Sequence, residues 1–126
     1  MEKTLIDPNP QLGFSQAAVV ESGGVRTIYV SGQVGSSPDL KSQSIEAFQN
    51  LADCLAKAGA TPADVVKLTT FIVDYTPEKV RDAFAGQPRV FTDRDNPPAN
   101  TVLGVQALFQ PSLLIEVEAV AVVATA

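Results

Sequence analysis

The chain has 126 residues, 45% of them hydrophobic and 18% charged, with a formal net charge of −5. That is the size and composition of one globular domain, residues 1–126, and not of a disordered chain; the nine Lys and Arg are scattered, which argues against nucleic acid and anionic membrane as partners. Histidine is absent and Cys54 is the one cysteine, so His-based triads, His metal sites and an intrachain disulfide are excluded.

Two N-terminal stretches, Gln16–Val20 and Arg26–Ser31, are strand-like, and Ser22-Gly23-Gly24 between them signals a hairpin turn. A helix is predicted from about Ser42 to Ala58, because Ile45, Phe48, Leu51, Ala52 and Leu55 make one apolar stripe. Ser42 or Ser44 can cap its start, and Gly59 stands where a helix ends. Thr61-Pro62-Ala63-Asp64 predicts a brief helical turn. Val66–Val73 is β-branched and predicts a strand. Thr76-Pro77 starts a second helix through about Ala85, stopped by Gly86 and Pro88. Gln87–Pro98 reads as a loop with room for one helical turn. Two final strands are predicted near Thr101–Leu108 and Leu113–Val123, separated by Pro111. The order β-β-α-β-α-β-β, with two helices on one side of a sheet, defines an α+β fold. The chain carries no apolar run long enough to span a bilayer, and its first residues lack a signal-peptide pattern, so the expected location is cytoplasmic.

In the last strand, Ile115, Val117, Ala119 and Ala121 share one face, expected to lie under the helices. Glu116 and Glu118 share the other with Val120 and Val122. Two readings stand for these acids: simple solvation, or a face open at one end and closed at the other by a second subunit. Ser31-Gly32-Gln33 follows an apolar strand, where Gly32 marks a bulge, a turn or a close ligand approach. Asn100, after Pro97-Pro98, is a strand-entry residue with both a donor and an acceptor. Arg81 is either a solvated helix charge or an anion contact. Nothing in the sequence near Cys54 would activate its thiol.

Six segments in register resemble the RidA/YjgF family of reactive-intermediate deaminases: Gly13–Ala17, Tyr29–Gln33, Asn50–Ala52 with Ala58–Ala60, Asp64–Phe71, Pro98–Thr101 and Ile115–Ala119. The resemblance implies a chorismate-mutase-like α+β domain, a homotrimer, and a ligand cleft between subunits, without metal or cofactor. It implies that Glu116 positions a hydrolytic water, that Ser31 and Gly32 offer backbone contacts, and that Phe14 stands where an aromatic, commonly tyrosine, lines the pocket. Asn100 falls at the position of the family's carboxylate-binding arginine, and Asn cannot neutralise a carboxylate. Arg81 is the candidate for a replacement cation, with Arg89 and Arg94 behind it.

The expected function is hydrolysis of a small reactive enamine or imine, or a related metabolite, with Glu116 acting on water. The alternative is a trimer that binds a small metabolite without turnover. Ribonuclease activity, attached to some relatives, is disfavoured by the acidic charge and the missing histidine.

Overall fold

A computed structural model describes residues 1–125; Ala126, the last residue of the predicted domain, lies outside the described residues. Six strands form one mixed sheet: β1 (Glu2–Ile6), β2 (Ala17–Ser22), β3 (Val25–Gln33), β4 (Val65–Val73), β5 (Ala99–Val105) and β6 (Ile115–Ala124). Their order across the sheet is β1-β2-β3-β6-β4-β5. Only the β4–β5 pair is parallel. Helix α1 (Leu40–Lys57) and two short helices, α2 (Val80–Ala83) and α3 (Gln87–Val90), cover one face. This is the predicted α+β arrangement with one strand more than expected.

The hairpin forms where predicted. Gly23 and Gly24 take φ of 60° and 79°, the left-handed values that a two-residue turn between twisted strands requires. The overlooked strand is β1. Glu2 and Lys3 obscure its alternation, and it lies on the outer edge of the sheet, where charge is compatible with pairing.

Helix α1 begins earlier than its stripe suggests. Asp39, not Ser42 or Ser44, is the cap, and its Oδ2 accepts from the Ser42 N–H at 2.9 Å. Ser44 is fully buried instead. Its hydroxyl donates to the Ala83 carbonyl at 2.7 Å and accepts from the Gly86 N–H at 3.0 Å, tying α2 to α1. Gly59, at φ 82°, ends the helix as expected. Phe48, Leu51 and Leu55 are completely buried against Ile28, Leu68, Ile115 and Val117 of the sheet. Each contributes about 1.5–3 kcal/mol by leaving water.

The second predicted helix is broken up. Pro77–Lys79 is a 3₁₀ turn, α2 spans one turn, and a new turn, α3, starts after Gly86. Pro88 does not stop a helix here. It sits in the first turn of α3, where its missing N–H would have no helical partner anyway. Phe91, just past α3, meets Phe48 edge to face at 6.2 Å.

Strand β5 ends at Val105, short of the predicted Leu108, because its parallel partner β4 ends at Val73, opposite Val105. Strand β6 runs between β3 and β4, so Ile115, Val117, Ala119 and Ala121 are all buried beneath the helices, as their spacing predicts. The opposite face of the sheet carries no helix. On it, Leu5, Tyr29, Val122 and Leu103 stay exposed.

Candidate functional site

Strand β3 bulges between Val30 and Gln33 where it pairs with β6, next to Glu118 and Glu116. The bulge turns Ser31 and Gly32 towards the helix-free face. The Ser31 hydroxyl donates to the Ser15 carbonyl at 2.6 Å, which anchors the β1–β2 loop beside it. Gly32 is required at this point by a close approach. A Cβ on residue 32 would fall 2.7 Å from the Glu116 Cγ and closer still to its carboxylate. The Glu116 side chain therefore lies folded across the glycine.

These residues line an open cavity of about 660 Å³. Leu12 and Phe14 come from the β1–β2 loop, and Val34, Gly35 and Ser36 from the segment leading to α1. The β5–β6 loop closes the remaining side through Phe109, Gln110, Ser112 and Leu113. The mouth is apolar and unpartnered: Phe109 is 80% exposed and Leu12 57%.

Glu116 is the one charged group in the cavity wall. No side-chain hydrogen bond among the described residues reaches its carboxylate. Burial, with repulsion from Glu118 added, holds its carboxyl above the usual glutamate range. An unpartnered, partly desolvated carboxylate of this kind is suited to take a proton from water.

Helix α1 holds two of the cavity's walls through side chains that periodicity did not single out. Gln43 is buried within the apolar stripe. Its Nε2 donates to the carbonyls of Ser37 at 2.8 Å and Ser112 at 2.9 Å, and its Oε1 accepts from the Leu114 N–H at 2.8 Å. One turn on, Glu46 accepts from the N–H groups of Ser36 at 2.8 Å and Ser37 at 2.9 Å, and from the Ser37 hydroxyl. The Ser37 hydroxyl first, and then the backbone donors, hold the Glu46 carboxyl below its usual range. The signal in the sequence was a Gln and a Glu at three-residue spacing beside a Gly-Ser-Ser-Pro segment.

Four of the predicted site residues, Phe14, Ser31, Gly32 and Glu116, meet in this cavity. Asn100 and Arg81 do not. Asn100 pairs across the parallel ladder with the buried Leu68, and its Oδ1 accepts from the buried Thr70 at 3.3 Å. It therefore points to the helix side of the sheet, whereas Glu116, alternating with buried Ile115 and Val117, points to the other. Arg81 is exposed on α2, which packs on α1. Arg89 lines a separate depression behind Val34–Ser36, and Arg94 a groove with Gln87 and Phe91. Cys54 is buried 3.6 Å from the Gln16 carbonyl, and burial pushes its thiol up, away from reactivity. Among the described residues no cluster of His, Cys, Asp and Glu could hold a metal ion, and no helix is long and apolar enough to cross a membrane.

A six-stranded mixed sheet with helices on one face is an architecture this chain shares with solved structures of a known group. The pattern of the family described as Endoribonuclease L-PSP matches residues 5–123, and the chain belongs to this YjgF/RidA family. It is 34% identical over 122 residues to a rat protein named 2-iminobutanoate/2-iminopropanoate deaminase, covering 86% of this chain and 79% of that one. It is 32% identical over 127 residues to a RutC family protein of Aquifex aeolicus, covering 95% and 96%. A crystal structure of a Mycobacterium tuberculosis member of the YjgF/YER057c/UK114 family superposes with a TM-score of 0.80 at 28% identity, over 97% of this chain and 100% of that one. The relatives support a deaminase-like function at the level of the family.

Proposed function

We propose that this protein is a hydrolytic deaminase acting on a small enamine or imine, in clefts that form between the subunits of a homotrimer. The observation that carries the reading is Glu116: a carboxylate without a protein partner, held protonatable by burial, at the wall of an apolar cavity. Water approaching a bound imine would give a proton to Glu116 while its oxygen adds to the imine carbon. Glu116 would return the proton to nitrogen to give a carbinolamine, then carry the hydroxyl proton to nitrogen as the C–N bond breaks, so that a carbonyl compound and ammonia leave. Phe14 and the bulge at Ser31 and Gly32 would hold the substrate against the acid.

The trimer reading draws support from the uncovered sheet face with its exposed Tyr29, Val122 and Leu103. The test is ammonia release from imines generated in situ, one set by an amino-acid oxidase and one by an amine oxidase. Acceleration over buffer that disappears in Glu116→Gln is expected. No acceleration in either set would refute hydrolysis, and undiminished binding without turnover would favour a carrier of small metabolites.

A further inference from the structure

We infer that the ligand of the Glu116 cavity carries no free carboxylate, and that its substrate class is the imine of a simple amine, neutral or protonated to the iminium. This rests on the reading of that cavity as the ligand site. The wall holds one charged group, an acid, and no Lys or Arg. Glu118 stands two residues along the same strand face and adds to the negative potential there.

Four of the chain's cations are engaged away from the cavity, and Arg89 lines the neighbouring depression on the other side of Val34, Gly35 and Ser36 rather than the cavity itself. Arg26 pairs with Glu21 at 2.8 Å and Lys57 with Asp7 at 2.7 Å. Lys79 donates to the carbonyls of Val73 and Asp74. Lys67 does lie on the helix-free face, but its Nζ is turned to the Thr101 hydroxyl. Asn100, if a second copy brings it to the cavity, offers an amide N–H and no charge, since its Oδ1 already accepts from Thr70. A carboxylate in this half-desolvated space would face Glu116 with no counter-ion, and such like-charge contacts strongly disfavour binding. A cation would be drawn in.

The chemistry agrees with the electrostatics. An iminium is a better electrophile than a neutral imine, and its positive charge is stabilised by the ionised Glu116 beside it. Addition of water and loss of ammonium balance as R–CH=NH2⁺ plus H2O giving R–CHO plus NH4⁺, with no oxidant or reductant. Leu12, Phe14, Phe109 and Leu113 would take the apolar group R. A reaction that oxidises primary amines to imines is the class of step that must supply this substrate.

The test uses three non-reacting probes of one shape: isovalerate, isovaleramide and isopentylammonium. Dissociation constants are measured by NMR titration, following the amides of Ser31, Gly32 and Leu113. The amide and the ammonium should bind at least about tenfold tighter than the carboxylate, and Glu116→Gln should remove the advantage of the ammonium over the amide. Equal or tighter binding of isovalerate to the wild type would overturn the inference, as would no binding by any of the three at millimolar concentration. Turnover separates the two claims. Hydrolysis of amino-acid-derived imines in preference to amine-derived ones would leave the deaminase reading standing and remove this one.

Discussion

Replacing Gln43 with leucine should show how much of the cavity is held by a single buried amide. The substitution replaces the amide with an apolar side chain of similar volume at a position that is 1% exposed. It removes the donor to the Ser37 and Ser112 carbonyls and the acceptor for the Leu114 N–H. Orphaning a buried polar group costs about 1–3 kcal/mol. All three orphans sit in loops that can turn partly to water, so the low end applies to each, and the total is about 3 kcal/mol. For a domain of this size that corresponds to a Tm lower by roughly 10 °C. Urea unfolding of the wild type and the variant measures the loss, and hydrogen exchange at Leu114 should accelerate as its bond disappears. Gln49→Leu is the control: the same change on the same helix, where the exposed amide bonds only Asp53 at 2.9 Å. It should cost less than about 0.5 kcal/mol. A loss below about 1 kcal/mol for Gln43→Leu, or equal losses for the two variants, would refute the assignment of Gln43 as the pin of both walls.

Gly32→Ala places a methyl where the Glu116 side chain lies, so turnover should fall about a hundredfold while Tm changes by only a few degrees; unchanged turnover would show that the carboxylate acts from another position. Glu116 also predicts a pH dependence. Its carboxyl is raised from 4.5 in the folded chain by burial first and Glu118 second, so the folded state binds its proton more tightly than the unfolded state does. Its stability contribution is complete below the ordinary glutamate value and is lost as pH rises through the folded one. Glu116→Gln should therefore be more stable than the wild type at neutral pH and show no advantage below about pH 4, and a pH-independent difference in unfolding midpoints would contradict this. Ser44→Ala should cost about 2 kcal/mol in chemical denaturation, because the Ala83 carbonyl and the Gly86 N–H both lose their partner; a neutral result would mean that α2 is not held through this hydroxyl.

The sequence disclosed those parts of the fold in which local pattern and burial agree. The alternation in Ile115–Ala121, the stripe in α1 and the Gly23-Gly24 turn each repeat one physical signal several times. Strand β1 repeats its signal too few times, since Glu2 and Lys3 occupy the positions that would reveal it, and its pairing with Ala17–Ser22 supplies the missing order. The second helix is broken where the local pattern predicts one element, because Gly86 and Pro88 terminate one turn and permit another. Which of the two happens is decided by the Ser44 hydroxyl and by Phe48 across the interface, not by the residues themselves. Gln43 escaped notice for a similar reason. A polar residue inside an apolar stripe is visible, but its three partners lie on loops far along the chain.

The site was legible as residue types and illegible as a face. Period-two alternation put Glu116 opposite Ile115 and Val117, and the structure agrees. The same rule applied to β5 needs its register with β4, which no local pattern contains. Once Asn100 is paired with Leu68, and Leu68 with Ala119, all three must point beneath the helices. Glu116 and Asn100 then stand on opposite sides of one sheet, and no rotamer brings them together. A ligand that touches both must lie between two copies of the chain, with the acid from one and the amide from the other. The two last strands could therefore contribute to one site only across an interface between copies. A homotrimer and a ligand cleft are therefore one proposal and not two: an obligate monomer that retained activity would remove Asn100 from the chemistry and leave Glu116 in it.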